Sequence, residues 1–261
     1  MPLNNRTMAT YKKRGYKPKT KVEKEVELED GSTTAEVFSS LDAGASKTEA
    51  WAEKNQKYII GFVIAALVCV LGYLAYTQFI LAPKQEEAMN EMNQAQTYYE
   101  QALTATDGDS LYRWALNGQG QSYGFIEIAD KYSGTDAGNL ANYYAGISYL
   151  NTKDYQNAIN YLDKFKSDDM TIAPMAKGAI GDAFVQLGQN DEALKYYEQA
   201  ATMVQNDFTT PRFLLKAGVT ALNAGQTAKA LKHFKTIVNE YPTAPQAVQA
   251  KVYVGKAEAM Q

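Results

Sequence analysis

Between Tyr58 and Tyr76 the chain reads YIIGFVIAALVCVLGYLAY, without a charge, and no charge follows until Lys84. No polar face interrupts this run. At 1.5 Å of rise per residue it spans roughly 28 Å, about the thickness of a bilayer's hydrocarbon layer. Downstream the pattern changes. From residue 84 onward apolar positions recur at helical intervals, with little of the alternation that marks strands. The patterning predicts an all-α chain: one transmembrane helix at about 58–82 within a juxtamembrane segment 46–83, then helices to residue 261. Upstream, residues 1–45 mix Lys, Glu, Gly, Ser and Thr with few large apolar side chains. Such a segment cannot bury enough apolar surface to offset the entropy of ordering, so disorder is expected there.

The helical part repeats itself. Residues 95–102 read AQTYYEQA and residues 193–200 read ALKYYEQA, and a longer register runs beneath this echo. Aligned on Gly146, Gly181 and Gly218, three stretches place Tyr149, Phe184 and Ala221 three residues later. Seven residues after the first small residue come Lys153, Gly188 and Gly225; at twelve come Ala158, Ala193 and Ala230; at sixteen, Leu162, Tyr197 and Phe234. The spacings between registers are 35 and 37 residues.

This register resembles the tetratricopeptide repeat, whose pattern is a small residue, an aromatic, a turn, a second Ala, an aromatic and a closing Pro. The resemblance implies an α-solenoid of helix pairs, with repeats at about 139–172, 174–207 and 211–244 and a capping helix from Pro245 to Gln261. In each pair a small first residue lets helix A approach helix B, and a glycine able to take positive φ ends helix A. Pro174, Pro211 and Pro245 fall at or beside helix starts, where proline is tolerated. Residues 84–135 are less regular. A long helix over 84–104, a short or shifted helix near the DGDS at 107–110 and a B-like helix at 121–133 are expected, giving degenerate hairpins before the domain at 136–261. The first YYEQA copy is expected to dock as a surrogate repeat.

Charge sets the orientation. Residues 1–57 carry 11 of the 26 Lys and Arg, eight of them between Arg6 and Lys24, whereas residues 84–261 carry 15 basic and 20 acidic side chains. Lys47, Lys54 and Lys57 precede the apolar run closely, and only Lys84 follows it closely. The positive-inside rule then keeps the N-terminus in the cytoplasm and sends the helical domain across the membrane. A cleaved signal peptide fits poorly: its basic region would be 57 residues long, and Pro83 stands where cleavage would fall. A mildly acidic globule gives no support for nucleic-acid binding.

Chemistry is narrowed by scarcity. One cysteine, Cys69, lies in the apolar run, and His233 is the single histidine, so an internal disulfide, a Cys/His zinc site and a Cys–His pair are excluded. NGQGQSYG at 117–124 lacks the spacing and context of a phosphate loop, and Asp107-Gly-Asp109 lacks the ligands of a calcium loop. No catalytic residues, metal, cofactor or small-molecule substrate are expected. The candidate site is a groove for a protein partner on the A helices: Tyr143 and Ile147, then Met175, Asp182 and Val185, then Arg212, Leu215, Lys216 and Val219. Neighbouring positions Leu140, Leu150, Gly178 and Leu222 belong either to that face or to the inter-repeat core. Some tetratricopeptide proteins clamp a C-terminal carboxylate there. Only Arg212 and Lys216 suit that role, so an amphipathic helix or an extended apolar segment is the expected partner.

A short basic tail, one anchor and a tetratricopeptide domain, with ANYYAGISYLNTKDYQNAINYL and GAIGDAFVQLGQNDEALKYYEQA as its most specific stretches, is similar to the YfgM-like family of bacterial inner-membrane proteins. That resemblance implies a single-pass inner-membrane protein with a periplasmic domain, an ancillary subunit of the Sec translocon. Its implied partners are translocon subunits and a membrane-anchored periplasmic chaperone of prolyl-isomerase type, and the groove of this non-catalytic adaptor is expected to hold that chaperone or an emerging secreted chain. A scaffold of another envelope complex, for secretion or cell division, is the alternative, and a cytosol-facing receptor of reversed topology is a third.

Overall fold

The computed structural model describes residues 33–260, whose regular elements are all helices, with no strand among them. Backbone contacts divide the chain into two units that part between Tyr73 and Leu74. Helix α1, Thr33–Tyr76, lies in the first unit except for its last three residues. Its apolar run is uncovered: Phe62, Val68 and Leu71 are all exposed. Among the described residues one continuous helical stretch, Glu49–Thr104, is long and apolar enough to cross a membrane. The expectation of disorder over 1–45 is corrected in part. Residues 33–45 are helical, and the rest of that tail lies outside the described residues. The apolar helix that follows supplies the nucleus, so extension into an Ala- and Glu-containing segment needs no new nucleation.

A π turn, Thr77–Leu81, follows α1. Pro83 has no N–H to donate to the carbonyl of Phe79, and its ring would crowd that carbonyl in a regular α-helix. The backbone widens instead, and the Ala82 N–H reaches back to Thr77 O.

In the second unit α2 (Ala82–Thr104) leads into α3 (Asp109–Asn117) and α4 (Phe125–Lys131). Three pairs follow: α5 (Asp136–Asn151) with α6 (Tyr155–Lys164), α7 (Ile172–Gln186) with α8 (Asn190–Met203), and α9 (Thr209–Asn223) with α10 (Thr227–Glu240). Helix α11, Gln246–Glu258, closes the order. From α5 onward each helix packs on the next. In addition α5 meets α7, α7 meets α9, and α9 meets α11, so the odd-numbered helices form a layer of their own.

The register glycines account for the pairing. A Cβ placed on Gly146, Gly181 or Gly218 would collide with Leu162, Tyr197 or Phe234 respectively, the residue sixteen positions on. The buried side chain of each second helix therefore lies directly on bare backbone of the first. Ala158, Ala193 and Ala230 are fully buried at the same crossings. Pro174 and Pro211 sit at the third position of their helices, inside the first turn, where a missing N–H deprives no carbonyl of a partner.

The first helix of every pair ends on a left-handed residue: Lys153 at φ 65°, Gly188 at 72° and Gly225 at 74°. Each closes with the same double bond pattern; Asp154, Gln189 and Gln226 N–H donate to Tyr149, Phe184 and Ala221 carbonyls at 2.9, 2.9 and 2.8 Å. Lys153 does this with a Cβ, which costs roughly 1–2 kcal/mol in that region, while glycine costs roughly 0.5–1 kcal/mol in unfolded-state entropy. Lys153→Gly is therefore expected to hold or slightly raise the midpoint of chemical denaturation. Lys153→Val, β-branched in the same conformation, should lower it.

Side chains start the helices. Thr135 Oγ1 accepts from Gly138 N–H at 3.0 Å and Asp154 from Asn157 N–H at 3.3 Å. Asp169 Oδ1 accepts from Thr171 and Ile172 N–H at 2.8 Å each, and these bonds hold its carboxyl below the ordinary range. Asn206 Oδ1 does the same for Phe208 and Thr209 N–H at 2.9 and 2.7 Å.

The two octets occupy comparable places. In the second, Ala193, Tyr197 and Ala200 are buried between α7 and α9. In the first, Ala95 and Ala102 are buried, and the Tyr99 ring meets Tyr112, Phe125 and Tyr144 at 5.8, 6.3 and 5.0 Å. Helix α2 thus packs on α3, α4 and α5 with the inward face of a second helix. Tyr132 OH and Lys131 Nζ both donate to Glu87 Oε1, at 2.9 and 3.5 Å, and fasten α2 to the end of α4.

Candidate functional site

The layer made by the odd-numbered helices carries a groove of two adjoining cavities that share Val185 and Tyr197. One, of about 390 Å³, runs from Leu150 and Asn151 to Asp182 and Gln186. The other, of about 310 Å³, runs from Leu215 and Val219 to Gln249 and Tyr253.

A charged node lies between them. Lys216 Nζ on α9 donates to both oxygens of Asp182 on α7, at 2.6 and 2.7 Å, and Tyr197 OH on α8 donates to Oδ1 at 2.6 Å. The ammonium also sits 5.6 Å from the Tyr197 ring centroid. Burial, and then the adjacent Asp182 charge, push the Tyr197 phenol far above its ordinary range, so it stays a hydrogen-bond donor throughout physiological pH. The ion pair is a third exposed, and such pairs contribute little to stability. Its effect on binding is clearer. With Asp182 chelating it, Lys216 presents no free cation to a partner's carboxylate, which argues against a carboxylate clamp.

Five of the nine candidate residues, Asp182, Val185, Leu215, Lys216 and Val219, line the two cavities. The other four stand elsewhere. Arg212 and Met175 are half-buried, with Arg212 N–H 3.6 Å from the Met175 sulfur. Ile147 and Tyr143 pack against the core formed by Leu162, Phe165 and Ile180, the Tyr143 ring 5.2 Å from that of Phe165. Of the neighbouring positions, Leu150 lines the groove, whereas Leu222 is buried and Gly178 lies under the Phe213 ring.

Tyr197, Tyr253 and four amide side chains, Asn151, Gln186, Asn223 and Gln249, line the groove although they were not among the candidates. A signal for three of them existed. Asn151, Gln186 and Asn223 each stand five residues after a register glycine, so the same amide recurs in every pair.

No group of three or more His, Cys, Asp or Glu side chains that could hold a metal occurs among the described residues. NGQGQSYG forms the connection from α3 to α4, preceded by a helix. His233, on α10, bonds through Nε2 to Glu198 Oε1 at 2.9 Å, and Lys229 approaches the same oxygen at 3.6 Å. Burial lowers the imidazole's affinity for a proton despite the carboxylate; Lys229 and Lys232 add to that direction. The unfolded chain therefore takes up this proton first. Stability should be full at neutral pH and fall as pH drops below about 6.5, at most by about 1.4 kcal/mol per pH unit. Thermal melts should show a shallower acid slope for His233→Gln than for the native chain.

The architecture is that of an all-helical protein built from repeating helix pairs, with a groove along one of its layers. A family model described as "T7SS, ESX-1 secretion system protein EccA1, N-terminal domain" matches residues 86–252, most of the second unit. The chain belongs to that family. No curated protein matches it.

Proposed function

We propose that this chain is a non-catalytic, membrane-anchored scaffold subunit of a protein-secretion complex, holding a protein partner in the groove along α5, α7, α9 and α11. The family match over 86–252 carries the reading, since that family takes its description from a secretion-system protein. The glycine–aromatic register supports a tetratricopeptide-type solenoid. The uncovered apolar face of α1 and the lysines before it support a single span with the helical domain on the far side of the inner membrane.

Which secretion machine is served is a finer question. Membership of this family favours a dedicated secretion complex. The YfgM-like layout of tail, anchor and repeats favours an ancillary place at the Sec translocon, beside a periplasmic chaperone. Affinity purification of the full chain from mild detergent, with a photo-crosslinker at Leu215 or Val219, separates them by the subunits captured. Recovery of no secretion component from either position would sink the proposal. A reporter fused after Gln261 that is active only in the cytoplasm would overturn the topology.

A further inference from the structure

The groove carries one amide per helix pair. Asn151, Gln186 and Asn223 occupy the same register position near the C-terminal ends of α5, α7 and α9, all three exposed, and Gln249, near the start of α11, lines the same cavity as Asn223. Little of their hydrogen-bonding capacity is used. Asn151 donates one bond, to Ile147 O at 2.8 Å, and Gln186 Oε1 accepts one, from Tyr155 OH at 3.4 Å. Asn223 makes none among the described residues.

Resting on the reading of the groove as a protein-binding site, the geometry points to its occupant: an unfolded, uncharged stretch of polypeptide, gripped through its backbone. A carboxamide offers a donor and an acceptor together, the complement of a peptide group. Packed helices stand roughly 8–10 Å apart. A polyproline II strand, a major conformer of unfolded chains, turns once in three residues of about 3.1 Å, hence about 9 Å. Such a strand presents the same backbone edge to successive amides, one contact for every third residue. A β-strand, with its two-residue period, would present alternating edges over the same interval.

Charge and floor agree with this occupant. The pair lining the groove's middle, Asp182 and Lys216, neutralises itself, so along α7 and α9 the groove selects neither acidic nor basic segments; Lys153 adds one positive charge at its α5 end. Leu150, Val185, Leu215 and Val219 offer shallow apolar contacts between the amides. An amphipathic helix would need a continuous apolar stripe and would have to bury that ion pair beneath it, at a desolvation cost.

The test is fluorescence anisotropy on the full chain in detergent micelles. The probe is a labelled, uncharged Ser/Ala/Val peptide of about ten residues, long enough for three turns of the strand. We expect binding that weakens about tenfold or more on Asn151→Ala/Gln186→Ala/Asn223→Ala substitution, with helical circular dichroism unchanged. The same peptide N-methylated at every third residue should lose a similar factor against the native chain, a comparison independent of how the variant folds. No binding of the parent peptide, equal binding of its N-methylated form, or tighter binding of a stapled amphipathic helix would each overturn the inference. If crosslinks from Val219 still capture secretion subunits in the triple-alanine variant, the scaffold reading stands while this one falls.

Discussion

Replacing Gly218 with alanine should destabilise the helical unit by about 1–3 kcal/mol, the usual cost of forcing an extra carbon into a packed core. In a domain of this size that is a fall in Tm of about 2–4 °C for each kcal/mol. The new Cβ would meet the ring of Phe234, which is fully buried and cannot swing aside. Two comparisons isolate the cause. Gly255→Ala, on the exposed side of α11 with nothing near its Cβ, should gain stability through helix propensity, by roughly 0.5–1 kcal/mol. Phe234→Leu in the Gly218→Ala background should cost less than in the native one, with a coupling of about 0.5–3 kcal/mol. Additive losses in that cycle would show that the close approach is not what the glycine serves.

The second large effect concerns Phe213, whose side chain on α9 is fully buried over the bare backbone at Gly178 on α7. Phe213→Ala should cost about 3–5 kcal/mol, the loss of a core aromatic with its cavity left behind. Because α9 touches only α7, α8, α10 and α11, the damage should be local. Hydrogen exchange measured by mass spectrometry should show protection lost over 209–258 while the core around Phe125 and Ile128 keeps it. Equal loss over both regions would mean that the array opens as one cooperative block.

All-helical character was plain from the chain because helix periodicity is local, and the paired glycine and aromatic positions recur in one register. What depends on distant geometry was not. Asp182, Lys216 and Tyr197 form one bonded node, yet 34 residues separate the first two, and only the stacking of α7 on α9 brings them together. Tyr143 and Ile147 share register positions with the groove residues Leu215, Asp182 and Val219 but pack inward, because Phe165 and Ile180 close over them. The π turn was invisible for a different reason: a proline directly after the apolar residues 79–82 reads as a helix start, and here the helix absorbs it. Lys153 stood where its counterparts are glycines, and that mismatch did mark the one non-glycine residue with positive φ among those described.

The outer side of α11 leaves Val248 and Val252 about 73 and 70 % exposed, whereas the Ala247, Ala250 and Ala257 side is fully covered by α9 and α10. At the other end α2 already spends its inward face on α3, α4 and α5. Growth of this array by gene duplication therefore has a direction. A further helix pair could be received behind α11 without disturbing any buried contact, while an insertion ahead of α3 would have to displace a helix already seated.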